Sequence, residues 1–492
     1  MVDVKQPSIS LGWALVPVVI LIGLLAGDVW AFADDSSYGP NQIAMLITAL
    51  IAGGIGMWRV GTTWQAIRDA IAKNISTTSE ALLILLLIGA LSGTWLVAGI
   101  IPAFIHYGLQ LLDPSWFLAA ACVICAVLSL ATGSSWGTVG TVGVALVGIG
   151  TALGISTGWV AGAIISGAYF GDKLSPLSDT TNIAPAVAGT DLFTHIRYML
   201  YTTLPSITIA LIVFLVAGLG GGQFSGALET NISEEVGAAI QGAFDIHLGL
   251  FIAPVAVIFM IAKKVPAAPA LFIGVLLGGL TAWIWQPAQL AAVAGSDVLD
   301  GKSLYTGLFQ VMAGDSAIVT GNGLADELLS SGGMAGMLNT VWLILCAMTF
   351  GATMQATGML DAISRAMLKG VTGTLGLVAR ASGTCLAFNI LTADQYLAIV
   401  IPGNMYKDSF EAQGLAPENL SRTLEDTGTV TSVLIPWNTC GVAQAGILGV
   451  STWTYLPYCI FNWVSPLTTL VVAALGWNIR KLPKAGETSA AS

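Results

Sequence analysis

A polar run interrupts an otherwise apolar stretch of the chain at residues 171–182. It holds two carboxylates, Asp172 and Asp179, together with four hydroxyl side chains and the amide of Asn182. An ionisable group at membrane depth costs roughly 2.5–3.5 kcal/mol on insertion scales, so it is retained where it faces a cavity, a partner or an ion pathway. Carboxylate, hydroxyl, amide and backbone oxygens are also the ligands that hard cations prefer. The run is therefore the first candidate for an ion-binding site.

A second set of polar residues occurs late in the chain, and a third lies upstream of the first run. These stretches cover residues 131–138, 389–395 and 427–439, and each is rich in Ser, Thr, Asn or Asp. Their hydroxyls can supply ion ligands or a gating network, or they can simply bond within and between helices. The candidate ion- or substrate-binding residues of all these stretches are Ser134, Ser135, Asp172, Ser175, Ser178, Asp179, Thr180, Asn182, Asn389, Thr392, Asp394, Thr429, Ser432, Asn438 and Thr439.

Three carboxylates stand out among these candidates. Burial raises the pKa of a carboxyl group and a nearby cation lowers it, so Na⁺ and H⁺ can compete for one such group. Asp172 or Asp179 is the expected shared carboxylate and Na⁺ ligand, and Asp394 is the candidate from the later stretch. Lys173 either neutralises a neighbouring Asp or extends from a helix end towards the membrane surface. Arg380 is a candidate anion anchor or partner of Asp394.

The composition indicates that the elements carrying these residues lie in a membrane. The 492 residues are 55% hydrophobic and only 9% charged, with a mean hydropathy of +0.83. One soluble core cannot bury that much apolar surface, so we expect an all-α polytopic membrane protein. The net charge of −10 argues against nucleic acid as a partner. The six cysteines lie in apolar stretches, which predicts neither disulfides nor a zinc site, and we expect no cofactor.

Apolar runs of roughly 20 residues are long enough to cross the membrane. Ten such runs are residues 8–28, 41–58, 81–101, 116–132, 199–219, 247–262, 267–286, 338–358, 372–391 and 453–476. The regions 133–190 and 392–450 are also hydrophobic but contain Gly, Pro, Asp and Asn, which predicts interrupted helices and re-entrant hairpins. We therefore expect about 10–13 transmembrane segments. Residues 61–73 have the spacing of an amphipathic helix on the cytoplasmic face.

Lysine and arginine mark the ends that remain in the cytoplasm. They concentrate in residues 59–80, at Lys263 and Lys264, at Arg365 and Lys369, and in residues 480–484, whereas segments 28–40 and 220–246 carry only acidic charge. This pattern places both termini in the cytoplasm, and we expect the protein in the cytoplasmic (inner) membrane of a bacterium or archaeon.

Asp426 follows Glu425 in a run that can be a solvated loop.

An internal repeat pairs the two polar halves. The segment from Leu85 aligns with that from Ile344 at an offset of 259, and the offset drifts until Ser175 meets Ser432. Because the charge pattern starts one copy inside and the other outside, the copies are expected to be inverted, with a binding site near the midplane. The expected divisions are residues 1–80 (N-terminal helices), 81–219 (first repeat), 220–337 (connecting helices and external loop), 338–476 (second repeat) and 477–492 (cytoplasmic tail).

The strings GDKLSPLSDTTNIAPAVAGTDLFTHIRYMLYTTLP (171–205) and LAPENLSRTLEDTGTVTSVLIPWNTCG (415–441) resemble signatures of the NhaC-type Na⁺/H⁺ antiporter family. That family is similar to the wider ion transporter superfamily of inverted-repeat secondary carriers, often dimers that move a transport domain against a scaffold. The ion-linked positions that the resemblance implies are Asp172, Ser175, Asp179, Thr180, Asn182, Asp426, Thr429, Ser432, Asn438 and Thr439.

The leading interpretation is a transporter that exchanges Na⁺, with Li⁺ as a second candidate cation, for H⁺ at a buried carboxylate by alternating access. The alternative is an organic-acid exchanger of the malate and lactate type, coupled to Na⁺ or H⁺, for which Lys173 or Arg380 would anchor a carboxylate. The expected partners are small cations, small organic anions, membrane lipid and a second copy of the chain. No H-E-x-x-H or G-x-x-x-x-G-K-[ST] motif occurs, and we expect a secondary transporter and not an enzyme.

Overall fold

The structure, a computed structural model, describes residues 9–220, 232–368 and 373–482. These residues are almost entirely helical, as expected for an all-α polytopic membrane protein. The charges predicted to mark cytoplasmic ends at Lys369 and Lys484, and most of the predicted tail 477–492, lie outside the described residues.

The N-terminal part consists of three long helices. They are α1 (Leu11–Phe32), α2 (Pro40–Val60) and α3 (Trp64–Val97), with a 3₁₀ turn at Ala33–Ser37. Thr63 caps α3 by accepting a hydrogen bond from the backbone N–H of Ala66. No proline follows until residue 102, so the predicted amphipathic segment 61–73 and the predicted span 81–101 form one helix. The expected division at residue 80 therefore lies inside α3.

The first polar half folds as a hairpin followed by an interrupted helix. Its elements are α4 (Ile100–Leu111), α5 (Phe117–Thr132), α6 (Ser135–Thr138), a π turn (Val139–Gly143), α7 (Val144–Ala152), α8 (Thr157–Leu174), α9 (Asp179–Ala188) and α10 (Leu192–Gly220).

The connecting region is packed rather than loose. It contains α11 (Ile232–Ala243), a 3₁₀ turn (Leu248–Phe251), α12 (Ile252–Ala262), α13 (Ala267–Trp285), α14 (Pro287–Val293), α15 (Gly301–Ala313), β1 (Ser316–Ala317), α16 (Gly323–Leu328), β2 (Ser330–Ser331) and α17 (Gly333–Gly336). The two short strands are antiparallel, with Ser316 opposite Ser331. This part packs directly on α3, where a Cβ on Gly89 would lie 2.3 Å from the Gly333 carbonyl oxygen.

The second polar half repeats the hairpin and the interrupted helix. Its elements are α18 (Leu338–Ala356), α19 (Met359–Met367), α20 (Thr374–Thr392), α21 (Leu397–Ala412), α22 (Pro417–Leu424), a π turn (Glu425–Thr429), a 3₁₀ turn (Ser432–Leu434), α23 (Thr439–Leu448), α24 (Thr452–Tyr455), a 3₁₀ turn (Leu456–Tyr458) and α25 (Ile460–Leu475).

Eight described helices are long and apolar enough to cross a membrane, or ten if each of two bent pairs forms one span. The expected number of 10–13 also counted the run 116–132. In the structure that run forms the 16-residue helix α5, one arm of a hairpin. Broken and short helices therefore account for the smaller number of full spans in the described part of the chain.

The two halves break their helices at equivalent places. Residues with positive φ end both hairpin arms, Gly133 at 70° and Ala393 at 54°. The interrupted helices break at 175–178 and at 435–438. Both pairs of positions are 260 residues apart. The sequence pairing of Ser175 with Ser432 was therefore displaced by three positions, because the alignment of two weakly similar copies drifted from an offset of 259 to 257, whereas the spacing in the structure stays at 260.

Small residues let α8 pack closely against α5. A Cβ on Gly167 would lie 2.0 Å from the carbonyl oxygen of Cys122, and one on Gly171 would lie 2.3 Å from that of Ala126. Close backbone approach at small residues is a common way for membrane helices to associate. This contact fixes the end of α8, and with it the position of Asp172.

Candidate functional site

A cavity of about 500 Å³ lies where the two hairpin tips and the two helix breaks meet. The walls come from both halves of the chain, with α3 and the α12–α13 connection on the remaining side. Its polar and aromatic lining residues are Thr77, Thr78, Glu80, Thr132, Ser134, Ser135, Trp136, Asp172, Ser178, Asp179, Thr180, Lys264, Asp394, Gln395, Tyr396, Thr439 and Cys440.

Asp172 is the buried carboxylate of the first half. It lies in the last turn of α8, just before the break, and is 7% exposed. Ser135, from the hairpin tip, donates a hydrogen bond from its Oγ to Asp172 Oδ2 at 2.7 Å. Among the described residues no basic side chain forms an ion pair with Asp172. The carboxylate is therefore held in place by a neutral donor and faces the cavity.

The N-termini of two half-helices also face the cavity. Asp179 and Thr180 begin α9, and Thr439 begins α23. Asn438 caps α23 by accepting a hydrogen bond from the backbone N–H of Cys440 at 3.0 Å. A helix N-terminus carries partial positive charge and free N–H groups. The exposed Asp179 side chain places a negative charge at one of these N-termini.

Asp394 occupies the position in the second half that Ser134 occupies in the first. Ser134 Oγ accepts from the backbone N–H of Gly137 at 3.0 Å, and Asp394 Oδ1 accepts from that of Leu397 at 2.8 Å. The alignment of the internal repeat, with its drifting offset, instead pairs Ser134 with Thr392, which lies two residues before Asp394. Other cavity pairs with the same spacing of 260 residues are Ser135 and Gln395, Trp136 and Tyr396, Asp179 and Thr439, and Thr180 and Cys440. The cavity wall is thus built twice from equivalent positions.

Eight of the fifteen residues proposed from sequence line this cavity. They are Ser134, Ser135, Asp172, Ser178, Asp179, Thr180, Asp394 and Thr439. The other seven surround the breaks without lining it: Ser175, Asn182, Asn389, Thr392, Thr429, Ser432 and Asn438.

Hydrogen bonds show what the three asparagines among these seven do. Asn389 donates from Nδ2 to the Gly428 carbonyl at 2.8 Å, and Asn438 donates to the Asn389 carbonyl at 3.0 Å. These bonds satisfy backbone oxygens that the π turn and the break leave without helical partners. Asn182 donates to the Pro176 and Ser178 carbonyls, which holds the first break closed on itself. These polar side chains therefore hydrogen-bond within and between helices at the breaks. The sequence had left that role open as the alternative to ion binding.

The structure changes the interpretation of two charged residues. Lys173 does not extend to the membrane surface, and it does not pair with a neighbouring Asp. Its Nζ bonds to Asp426, and both side chains are fully buried. Ser465 and Thr469 of α25 complete this pair, the first by accepting from Lys173 and the second by donating to Asp426. Asp426 is therefore an interior residue and not part of a solvated loop.

Arg380 is not placed to assist Asp394. It is exposed near the start of α20, where Nη1 donates to the Met367 carbonyl at 3.1 Å. Asp394 follows the opposite end of α20, roughly 20 Å away along the helix at 1.5 Å per residue. The expectation that Arg380 pairs with Asp394 is wrong, because the hairpin arm separates the two residues.

Sequence reasoning missed Gln395, Tyr396, Glu80 and Lys264 as wall residues. The first two follow Asp394 directly, and the correct repeat register would have found them opposite Ser135 and Trp136. Glu80 and Lys264 had been assigned only to cytoplasmic ends. No group of three or more His, Cys, Asp or Glu that could hold a metal ion occurs in the part of the chain that the structure describes.

Comparison with known proteins shows the family of the chain. The profile of the Na⁺/H⁺ antiporter family matches residues 167–477, which include both helix breaks. The Na⁺/H⁺ antiporter NhaC of Alkalihalophilus pseudofirmus is 34% identical over 480 residues, covering 97% of this chain and 98% of that protein. The malate-2H⁺/Na⁺-lactate antiporter of Bacillus subtilis is 37% identical, covering 94% and 93%.

A third relative has a different printed substrate. The arginine/ornithine antiporter ArcD of Halobacterium salinarum is 35% identical, covering 96% of this chain and 93% of that protein. All three relatives are therefore similar over nearly their full length, and all three are antiporters by name. The chain belongs to the Na⁺/H⁺ antiporter family, as the two signature strings indicated.

Proposed function

We propose that this protein exchanges Na⁺, and also Li⁺, for H⁺ across the cytoplasmic membrane, with both ions competing for the carboxylate of Asp172. The observation that carries the proposal is a buried carboxylate at a helix break, lining a cavity and held by a hydroxyl instead of a basic side chain. A carboxylate without a fixed counter-ion needs a cation or a proton when it is buried. Exchange follows when the two ligands occupy it alternately.

The charges of the cavity wall suit a cation. Its acidic residues are Asp172, Asp179, Asp394 and Glu80, and its basic residue is Lys264. Lys173, adjacent to Asp172 in sequence, is engaged with Asp426 and leaves the wall negative. Hydroxyls of Ser135 and Ser178 add neutral oxygens near Asp172. This donor set matches the preference of hard cations for oxygen ligands.

The position of the cavity mouth fits one state of an alternating-access cycle. Glu80 and Lys264 are exposed wall residues, and the lysine and arginine distribution assigns their segments to the cytoplasm. A second cavity of about 340 Å³ is lined by Asp35, Asn339 and Thr452. The charge pattern assigns the segment of Asp35 to the outside. In this proposal the binding residues face the inside here, and a second conformation opens them towards the other cavity.

Transport in proteoliposomes tests the proposal. With an imposed pH difference, addition of Na⁺ or Li⁺ should dissipate the gradient in wild type, and Asp172→Asn should abolish the response because an amide binds neither ion as a carboxylate does. Asp297→Asn, at an exposed position of the connecting region, is the matched control and should behave as wild type. Wild-type dissipation that persists in Asp172→Asn would refute the assignment of this residue.

A second candidate is exchange of small organic or amino acids coupled to Na⁺ or H⁺. The cavity volume of about 500 Å³ far exceeds what one Na⁺ requires, and two helix N-termini with Lys264 offer sites for a carboxylate group. Two of the relatives are named for such solutes. Malate, lactate, arginine and ornithine should therefore be added in the same assay. A response that requires one of them, and is absent with Na⁺ or Li⁺ alone, selects this second function.

A further inference from the structure

The π turn at Glu425–Thr429 places an additional carboxyl group beside the cavity. Glu425 is fully buried, and its Oε1 accepts a hydrogen bond from Thr180 Oγ1 at 2.9 Å. Its Oε2 is buried with no hydrogen-bond partner among the described residues. A buried carboxylate oxygen without a donor is costly, and such groups call for an explanation. π turns within helices are frequent at functional sites.

The neighbouring positive charges are directed elsewhere. Lys173 bonds to Asp426, and the guanidinium group of Arg422 lies 4.6 Å from the ring centre of Tyr198. His195 bonds through Nδ1 to Ser421 Oγ at 2.8 Å. The buried charged or titratable side chains on the elements around Glu425 are Tyr169, Asp172, Lys173, His195, Tyr198, Cys385, Tyr406, Glu418, Arg422 and Asp426. None of them bonds to Oε2.

A chain of hydroxyls connects Glu425 to the cavity. Ser178 Oγ lies 3.2 Å from Thr180 Oγ1, which in turn lies 2.9 Å from Glu425 Oε1. Ser178 and Thr180 both line the cavity. Each hydroxyl can donate one hydrogen bond and accept another, so such a chain passes a proton by exchanging donor and acceptor roles.

We propose that Glu425 is a proton-carrying residue of the exchange cycle and communicates with the cavity through the hydroxyls of Thr180 and Ser178. The proposal rests on the proposed function and adds a proton site separate from the cation site at Asp172. The carboxylate of Glu425 takes one proton from the cavity and becomes a neutral carboxylic acid. The same O–H bond breaks when the proton returns to the cavity after the conformational change. The proton enters from hydronium in the cavity, which becomes water; Ser178 and Thr180 each give up one proton and take another, so their O–H bonds break and re-form while both hydroxyls stay neutral.

The experiment separates proton coupling from Na⁺ binding. Glu425→Gln keeps the shape and the hydrogen bond from Thr180 but carries no titratable proton. Dissipation of an imposed pH difference by Na⁺ should become about a hundredfold slower than in wild type, the lower end of the range for losing a positioned proton-transfer group. Exchange of labelled Na⁺ for unlabelled Na⁺ at equal pH, which needs no proton, should persist, as should Na⁺ binding to purified protein.

Two further variants test the hydroxyl chain itself. Thr180→Val removes the hydroxyl at nearly constant shape and should slow proton-coupled exchange in the same way, whereas Thr180→Ser should restore it. Glu418→Gln serves as the matched control and should leave transport unchanged. Glu418 lies on α22, the helix that leads into the π turn of Glu425, and it bonds to Arg480 at 3.1 Å.

Each outcome decides the proposal. Unimpaired proton-coupled exchange in Glu425→Gln, or loss of Na⁺/Na⁺ exchange together with Na⁺ binding in a folded variant, would overturn it. If Glu425→Gln does not fold, the contrast between Thr180→Val and Thr180→Ser decides instead, and equal rates in the two refute the chain. Failure of the wild type to respond to Na⁺ would instead refute the proposed function.

Discussion

Asp172 and Lys173 are adjacent on α8, but their side chains lie on different faces of the helix. Successive residues of a helix are rotated by about 100°, so Asp172 faces the cavity while Lys173 faces Asp426 of the second half. The sequence singled out the charges of this run, and the structure buries both Asp172 and Lys173. The sequence could not predict their partners, because the partner of Lys173 lies 253 residues away and depends on how the two halves pack.

Breaking the buried pair should destabilise the protein. Lys173→Met leaves Asp426 buried beside Thr469 but without a counter-charge, and removal of one partner of a buried pair costs roughly 3–5 kcal/mol. Thermal unfolding in detergent should show a clear decrease in melting temperature. The double variant Lys173→Met with Asp426→Leu should recover much of that loss. A single variant as stable as wild type would show that the pair contributes no such stabilisation.

Broken helices position the site, and the sequence revealed them only in part. Gly, Pro and polar residues correctly indicated that 133–190 and 392–450 were interrupted, and the structure places breaks at 175–178 and 435–438. The register was missed by three residues, since the two copies share few identical residues and an alignment of them can drift although the spacing in the structure is constant. The uninterrupted α3 was also missed, because a change from a polar to an apolar pattern does not end a helix without a breaker.

The two hairpin tips should respond differently to substitution. Gly133 has φ of 70°, and an added Cβ would lie 2.6 Å from Leu177 Cβ in the first break. Gly133→Ala should therefore displace the break that carries Ser178 and reduce transport, while lowering the melting temperature. Ala393→Gly should change stability by at most about 1 kcal/mol, because relief of the left-handed conformation offsets the lost methyl group. The pair is measured by thermal unfolding and by flux, and a neutral Gly133→Ala would contradict the tight contact.

At the scale of the whole molecule, composition already determined the class of protein. The number of full spans in the described residues is eight to ten, since several hydrophobic runs form half-helices instead of crossing the membrane. The orientation of the two halves and the homodimer remain predictions. Hydrophobicity alone determines neither property. The orientation depends on the surrounding membrane, and the homodimer depends on contacts between copies of the chain.

Orientation can be tested with introduced cysteines. The six native cysteines are all buried, so background labelling by a membrane-impermeant maleimide should be low. Gln65→Cys, at the start of α3, should react only after the membrane of intact cells or right-side-out vesicles is opened. Asp297→Cys, in the connecting region, should react from the outside without that treatment. The reverse pattern would contradict the assigned topology and the cytoplasmic cavity mouth.

The most direct test of the central claim is Na⁺ binding to the purified protein as a function of pH. Competition at one carboxylate predicts that the Na⁺ dissociation constant rises about tenfold for each unit of pH decrease once protons occupy Asp172. Asp172→Asn should abolish Na⁺ binding, whereas Asp297→Asn should reproduce the wild-type curve. A dissociation constant that is independent of pH, or Na⁺ binding that survives in Asp172→Asn, would contradict exchange through this carboxylate.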